Sequence, residues 1–340
     1  MHSCLYWGNV FSGIMENKEK RAEKFYNSFL TYTESLFDGF TAKNELDFES
    51  IQTMIKTLCE FVRRDRNHIV YAMQTAKPYV NPHVSHSVRA SIVAVIIGIY
   101  LKIPRHLLIE LGIAGLLCNI SVLNLSGRTY TSKEGGLNLL KSGTDSEKKL
   151  LFVHPIHANR TLKALNFPLS ICEAVLQHHE LEDGSGFPQQ LKGNAIGLYG
   201  KILVVAGFYE AFSTENIDGT KCSHNGIMQI LKNGGSFDMS VIRALVNSIS
   251  IYPVGIYVLL SNGKRGQVSD IDQENPRFPF VKILGKQSPN EGFKTTDELF
   301  IVRPLTGEEI EASVKEIEKS VKANKDRNLK PLFNRRFYQP

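Results

Sequence analysis

The chain has 340 residues, 42% of them apolar and 22% charged, a composition that fits a folded globular protein and excludes a disordered or low-complexity chain. Its net charge is +6, but residues 315–340 alone carry eight Lys or Arg against three Asp or Glu, so the rest is near neutral and no broad nucleic-acid-binding face is expected. Five scattered cysteines (Cys4, Cys59, Cys118, Cys172 and Cys222) lack paired spacing, which argues against a disulfide framework and for a cytoplasmic setting.

Residues 1–14 have no basic start followed by a long apolar stretch, so no signal peptide is expected, and either Met1 or Met15 can serve as the start. Residues 17–76 set charged residues against Phe25, Phe29, Leu36, Phe40, Ile51, Ile55, Leu58 and Phe61 at helical intervals. They predict an N-terminal helical region over 1–76, either a subdomain or a set of packing helices, and one route to a homodimer.

Residues 77–250 read as one helical domain. Pro78 and Pro82 precede a helix with His86, Ala90, Val93 and Ile97 on one face. Pro104 opens the next, where Leu111, Ala114, Gly115 and Cys118 share a face. The apolar runs Ile92–Leu101 and Leu107–Leu117 are too short for a membrane span and read as core helices. Residues 124–144 are polar and read as a loop. Thr144 and Glu147 have capping-box spacing for a helix to His154, which Pro155 is expected to break or restart. Ser170 and Glu173 repeat that spacing after Pro168, and Ile171, Ala174, Val175 and His178 then follow on one face. His178 therefore points inward with His179 beside it, and a buried imidazole needs a hydrogen-bond partner or a metal ion. Asp183-Gly184-Ser185-Gly186 supplies a turn, and Pro188 stiffens its exit. Apolar helices follow at Lys201–Phe212, around Ile227–Leu231 and at Ser240–Ile249.

From Ile251 the pattern becomes β-branched and aromatic. Tyr252–Leu260 followed by Asn262-Gly263 predicts a hairpin. Gln267–Ile271, Phe280–Leu284 and Leu299–Val302 complete a small β-rich segment over 251–305. Residues 306–340 return to a helix over Glu308–Lys322 and end in a basic tail.

Taken in order, His86, Ala114-Gly115-Leu116-Leu117, His154-Pro155 and His178-His179-Glu180 with Asp183-Gly184-Ser185-Gly186-Phe187-Pro188 resemble the HD-GYP branch of the HD-domain phosphohydrolases. Leu191-Lys192-Gly193 and Lys201–Ala206 extend the resemblance, which spans roughly 80–285. It implies a mainly α fold, an all-helical HD-domain bundle with N-terminal helices and a small C-terminal β-rich appendage. It also implies hydrolysis of cyclic di-GMP at two or three iron or manganese ions, which activate water and neutralise phosphate charge. Four histidines match its ligand positions: His86, His154, His178 and His179. Other matching positions have lost their chemistry. Cys118-Asn119 replaces the His-Asp pair, Val122 replaces a Lys, Pro82 an acid, Gly207 an Asp, and Phe187 a Tyr. Without bridging carboxylates, two dications about 3.5–4 Å apart repel strongly.

The sequence thus reads as a degenerate HD-GYP protein, catalytically inactive, that binds a nucleotide or a protein. The alternative is an active phosphodiesterase with an atypical His-rich site. The expected cofactor is none or one divalent Fe, Mn or Zn ion on the histidines, with Cys118 as an added soft ligand. The expected ligand contacts are Asp183, Gly184, Gly186, Phe187, Pro188 and Lys192. Cyclic di-GMP, or signalling proteins at the 180–194 loop, are the expected partners. Lys201 is a further phosphate candidate, whereas His157 is expected on a solvated helix surface.

Overall fold

The computed structural model describes residues 18–76, 79–124, 145–213, 223–272, 274–284, 293–306, 308–310 and 312–313. The capping residue Thr144, the expected 124–144 loop from residue 125 onward and the basic tail lie outside them.

Among the described residues the chain forms nine α-helices followed by one antiparallel sheet. The helices are α1 Lys18–Lys43, α2 Phe48–Thr75, α3 Pro82–Tyr100, α4 Arg105–Leu117, α5 Asp145–Ala164, α6 Leu169–Gln177, α7 Leu198–Ser213, α8 Ser223–Lys232 and α9 Met239–Ile249. Three of their starts carry side-chain caps. The Asp47 carboxylate accepts from Ser50 N at 3.1 Å. Asn81 Oδ1 accepts from His83 N, and Pro82 fills the first turn of α3, where its missing N–H leaves nothing unpaired. Asp238 caps α9 by accepting from Ser240 N and Val241 N.

Helix α3 is the central strut. Every residue from Ser87 to Gly98 is buried, as a helix apolar on all sides must be. It packs tightly on α4: the Ser91 hydroxyl donates to Gly112 O at 2.8 Å. A Cβ on Gly115 would stand 3.0 Å from Ser91 Cα, tighter than most such contacts, so glycine eases that approach. By length and composition alone, Pro82–Tyr100 and Arg105–Leu123 could cross a membrane, but 72% and 67% of those windows are buried inside the bundle.

The N-terminal helices are packing helices of the same bundle. One continuous apolar core runs from Ala22 to Ile249, and Phe25 of α1 stacks on Phe61 of α2 with ring centroids 4.5 Å apart. Helix α2 kinks at Asp65, whose buried carboxylate accepts from Arg21 and Arg64.

Two local expectations are corrected. Helix α5 runs through Pro155 from Asp145 to Ala164. His154, Pro155 and Ala158 all turn inward there, and that packing holds the helix through the proline. Ser170 and Glu173 form no capping box: α6 has no side-chain cap. The Ser170 hydroxyl instead donates to Glu110 of α4 at 2.7 Å, and Glu173 accepts from Lys163 of α5 at 2.9 Å.

The C-terminal strands are β1 Tyr257–Leu260, β2 Arg265–Asp270, β3 Phe280–Ile283, β4 Phe293–Lys294 and β5 Ile301–Pro304, in the order β4-β3-β2-β1-β5. The Asn262-Gly263 turn joins β1 to β2, with Gly263 at φ +77°. The segment from Tyr252 to Ile256 precedes the first strand, because Gly255 at φ +100° turns the chain against Tyr71 and Gln74 of α2. A small core around Val258, Val268 and Val281 packs on Tyr71. Beyond β5, residues 308–310 and 312–313 are helical.

Candidate metal centre and its loop

Three imidazoles meet where α5 approaches the end of α6. His154 lies on α5, His178 caps the C-terminus of α6, and His179 follows in the turn. One ring nitrogen from each lies within 4.8 Å of the others. His154 and His178 are buried, as the inward face of α6 requires.

Hydrogen bonding fixes the tautomer of His178. Its Nδ1 lies 2.6 Å from Val175 O, and a carbonyl can only accept, so Nδ1 carries the proton and Nε2 keeps its lone pair. That lone pair accepts from His154 Nε2 at 3.1 Å. A backbone carbonyl behind one nitrogen, with the lone pair of the other directed into the site, is the arrangement of a metal-ligating histidine. Burial holds both His178 and His179 well below the usual imidazole pKa, reinforced by the neighbouring rings, so both are neutral donors.

His86 stands outside this trio. Its Nδ1 makes a short contact with Glu210 of α7, a carboxylate only 1% exposed. Burial alone would lower the His86 pKa, but Glu210 outweighs it and leaves it raised. The other Glu210 oxygen lies 3.4 Å from Arg89 Nε, and Arg89 Nη1 donates to Met73 O at 2.7 Å. Glu210 escaped sequence reading because it lies one helical turn beyond Gly207, the position where an acid was expected. Its i, i+3 placement on the same face of α7 was the available signal.

Cys118 is buried, its thiol donates to Gly115 O at 3.4 Å, and burial pushes its pKa up to about 12. It is a neutral thiol outside the trio. Asn119 donates to the Cys118 sulfur at 3.5 Å. Val122 lies in a short 3₁₀ turn over Ile120–Asn124, and a Cβ on Gly207 would meet nothing within 4 Å.

The loop after the histidines is held from below. Glu180, fully buried, accepts from Gln189 N at 2.7 Å and Leu191 N at 2.9 Å. A Cβ on Gly186 would fall 2.3 Å from Leu181 N and 2.5 Å from His179 O, so glycine is obligatory there. Gly184 sits at φ +82°, and the Phe187–Pro188 bond is cis. Phe187 is buried and stacks on His179, centroids 4.6 Å apart. Asp183 is exposed. It accepts from Ser185 N and from the Ser185 and Ser236 hydroxyls, which hold its carboxyl below the usual range. Lys192 is exposed, whereas Lys201 is not available to a phosphate: its ammonium bridges Glu182 and Asp238 at 3.2 and 3.0 Å. His157 is exposed, as expected.

A single divalent cation suits this donor set, since three imidazole ligands with a fourth position open are a familiar zinc arrangement. His154, His178 and His179 would hold it, and it would supply Lewis acidity to a phosphate. Among the described residues no carboxylate joins the trio.

Fold and site together define an all-helical bundle built around a buried imidazole nest. The family model described as HD domain matches residues 73–241. The chain is 28% identical over 210 residues to "Cyclic di-GMP phosphodiesterase PdeB" of Borreliella burgdorferi, covering 61% of this chain and 53% of that protein. It is 30% identical over 202 residues to "Cyclic di-GMP phosphodiesterase PA4108" of Pseudomonas aeruginosa, covering 58% and 47%. The chain therefore spans about half the length of these curated relatives. The solved structure of Bd1817, an HDG"Y"P protein from Bdellovibrio bacteriovorus, shares the fold with a TM-score of 0.57 at 15% identity, over 70% of this chain and 74% of that one. Residues 73–241 are therefore an HD domain, and the chain resembles proteins of the HD-GYP branch in its signature residues and fold.

Proposed function

We propose that this chain is a degenerate HD-GYP domain that binds cyclic di-GMP without hydrolysing it. The observation that carries the reading is the donor set: three clustered imidazoles with no carboxylate joining them among the described residues, while Glu210 is committed to His86 and Arg89. Two neighbouring dications need a bridging anion to offset their repulsion. Asn119 and the neutral thiol of Cys118 supply none. The nest therefore holds at most one ion. The relatives' names supply the ligand class, and the rigid 180–194 loop offers a surface for the nucleotide or for a signalling partner. The scattered cysteines, without paired spacing, support a cytoplasmic setting for it.

The test is calorimetric titration of the full chain with cyclic di-GMP, alongside a turnover assay and elemental analysis after growth in iron- and manganese-rich medium. Saturable binding, no turnover and at most one metal per chain is the expected result. Two metals per chain with turnover would overturn the reading. The lone pair of His178 Nε2, directed into the trio, favours a second reading, a phosphodiesterase with one metal. Hydrolysis with one bound ion, abolished by His178→Ala, would establish it.

A further inference from the structure

Phe152 lies two residues before His154 on α5, and it is 41% exposed. Its ring meets Phe187 edge to face, centroids 4.8 Å apart and planes at 67°. Phe187 in turn stacks on His179, and His179 lies 4.1 Å, centroid to centroid, from His178. A column of rings thus runs from the surface to the imidazole nest, and Phe152 is its open end. An aromatic face left in water beside a polar site is suited to a planar, weakly hydrated group that is tethered to whatever the site binds.

We infer that Phe152 is the nucleobase platform of this site, stacking a purine whose attached phosphate faces the histidine nest. The inference rests on the cyclic-dinucleotide reading above and adds a specificity-determining residue to it. The imidazole nest faces the phosphate; the ring contributes affinity only when a base is present. Stacking tolerates any base, so the platform selects nucleotides over simple phosphate esters, and does not by itself choose guanine.

The experiment compares two ligands on the full chain by calorimetry: cyclic di-GMP, and ribose 5-phosphate as a baseless probe. Phe152→Leu keeps apolar bulk and removes the π face, and Phe152→Trp keeps the face. Phe152→Leu is expected to weaken cyclic di-GMP about 5- to 150-fold, the range for loss of one base–aromatic stack. Phe152→Trp should retain binding, and affinity for ribose 5-phosphate should be the same in all three proteins. Unchanged cyclic di-GMP affinity in Phe152→Leu would overturn the platform and leave the binding reading standing. Equal weakening of both probes would also overturn it, by assigning the ring a structural role. Absence of cyclic di-GMP binding in the wild type would overturn the reading and the platform together.

Discussion

Replacing Glu210 by Gln removes the negative charge that Arg89 and His86 share inside the bundle. Glu210 and Arg89 are each 1% exposed, so water cannot take over the lost interaction. Arg89 would keep its 2.7 Å bond to Met73 O, a neutral partner, and its charge would be left uncompensated. Removing one member of a buried ion pair costs about 3–5 kcal/mol. The Gln amide keeps the shape, so Glu210→Gln belongs near the lower figure, roughly 3 kcal/mol, and Glu210→Ala near the upper. For a core of this size about 3 kcal/mol corresponds to a fall in Tm of roughly 6–12 °C. Urea and thermal unfolding followed by circular dichroism measure it. The double variant Arg89→Met/Glu210→Leu should be markedly milder than the sum of the two single changes, since it removes both charges together. A loss under about 1 kcal/mol for Glu210→Gln, or strict additivity in the double variant, would refute the reasoning. The pH dependence carries a sign. His86 has a raised pKa in the folded state, so its contribution is complete below its unfolded value near 6.5 and fades as pH rises through the folded value. The stability difference between wild type and Glu210→Gln should therefore shrink on the alkaline side.

Gly186→Ala places a methyl against the backbone of Leu181 and His179, and should cost about 1–3 kcal/mol and weaken ligand binding at the loop; native-like stability in a urea titration would contradict the clash. Zinc should bind the wild-type chain with one site by calorimetry, and His178→Ala should abolish it, because that change removes the nitrogen whose lone pair faces His154. The variant Cys118→His/Asn119→Asp/Gly207→Asp returns two carboxylates and an imidazole to the positions that lost them, and the open space at Gly207 admits the side chain. It should gain metal content and measurable cyclic di-GMP hydrolysis; metal content and turnover equal to wild type would show that the missing acids are not what limits this site.

The sequence by itself determined what depends on neighbours within one turn. The 3.6-residue spacing of Ile171, Ala174, Val175 and His178 was enough to turn His178 inward, and Asn262-Gly263 was enough to place the hairpin. Gly186 was legible as a turn former, although only the structure shows the backbone atoms that exclude a Cβ. Tertiary packing decided the rest. Ser170 had the spacing of a cap, yet its hydroxyl found Glu110, 60 positions away, because α4 lies alongside the start of α6. Lys201 read as a phosphate candidate, but two acids from other segments hold it. His86 and Glu210 are 124 positions apart and meet because α3 packs against α7. Periodicity says which face of a helix is buried; it does not say what stands opposite that face. The charge state and partners of a buried side chain depend on that opposing surface, so only the assembled bundle could separate His86 from the other three histidines.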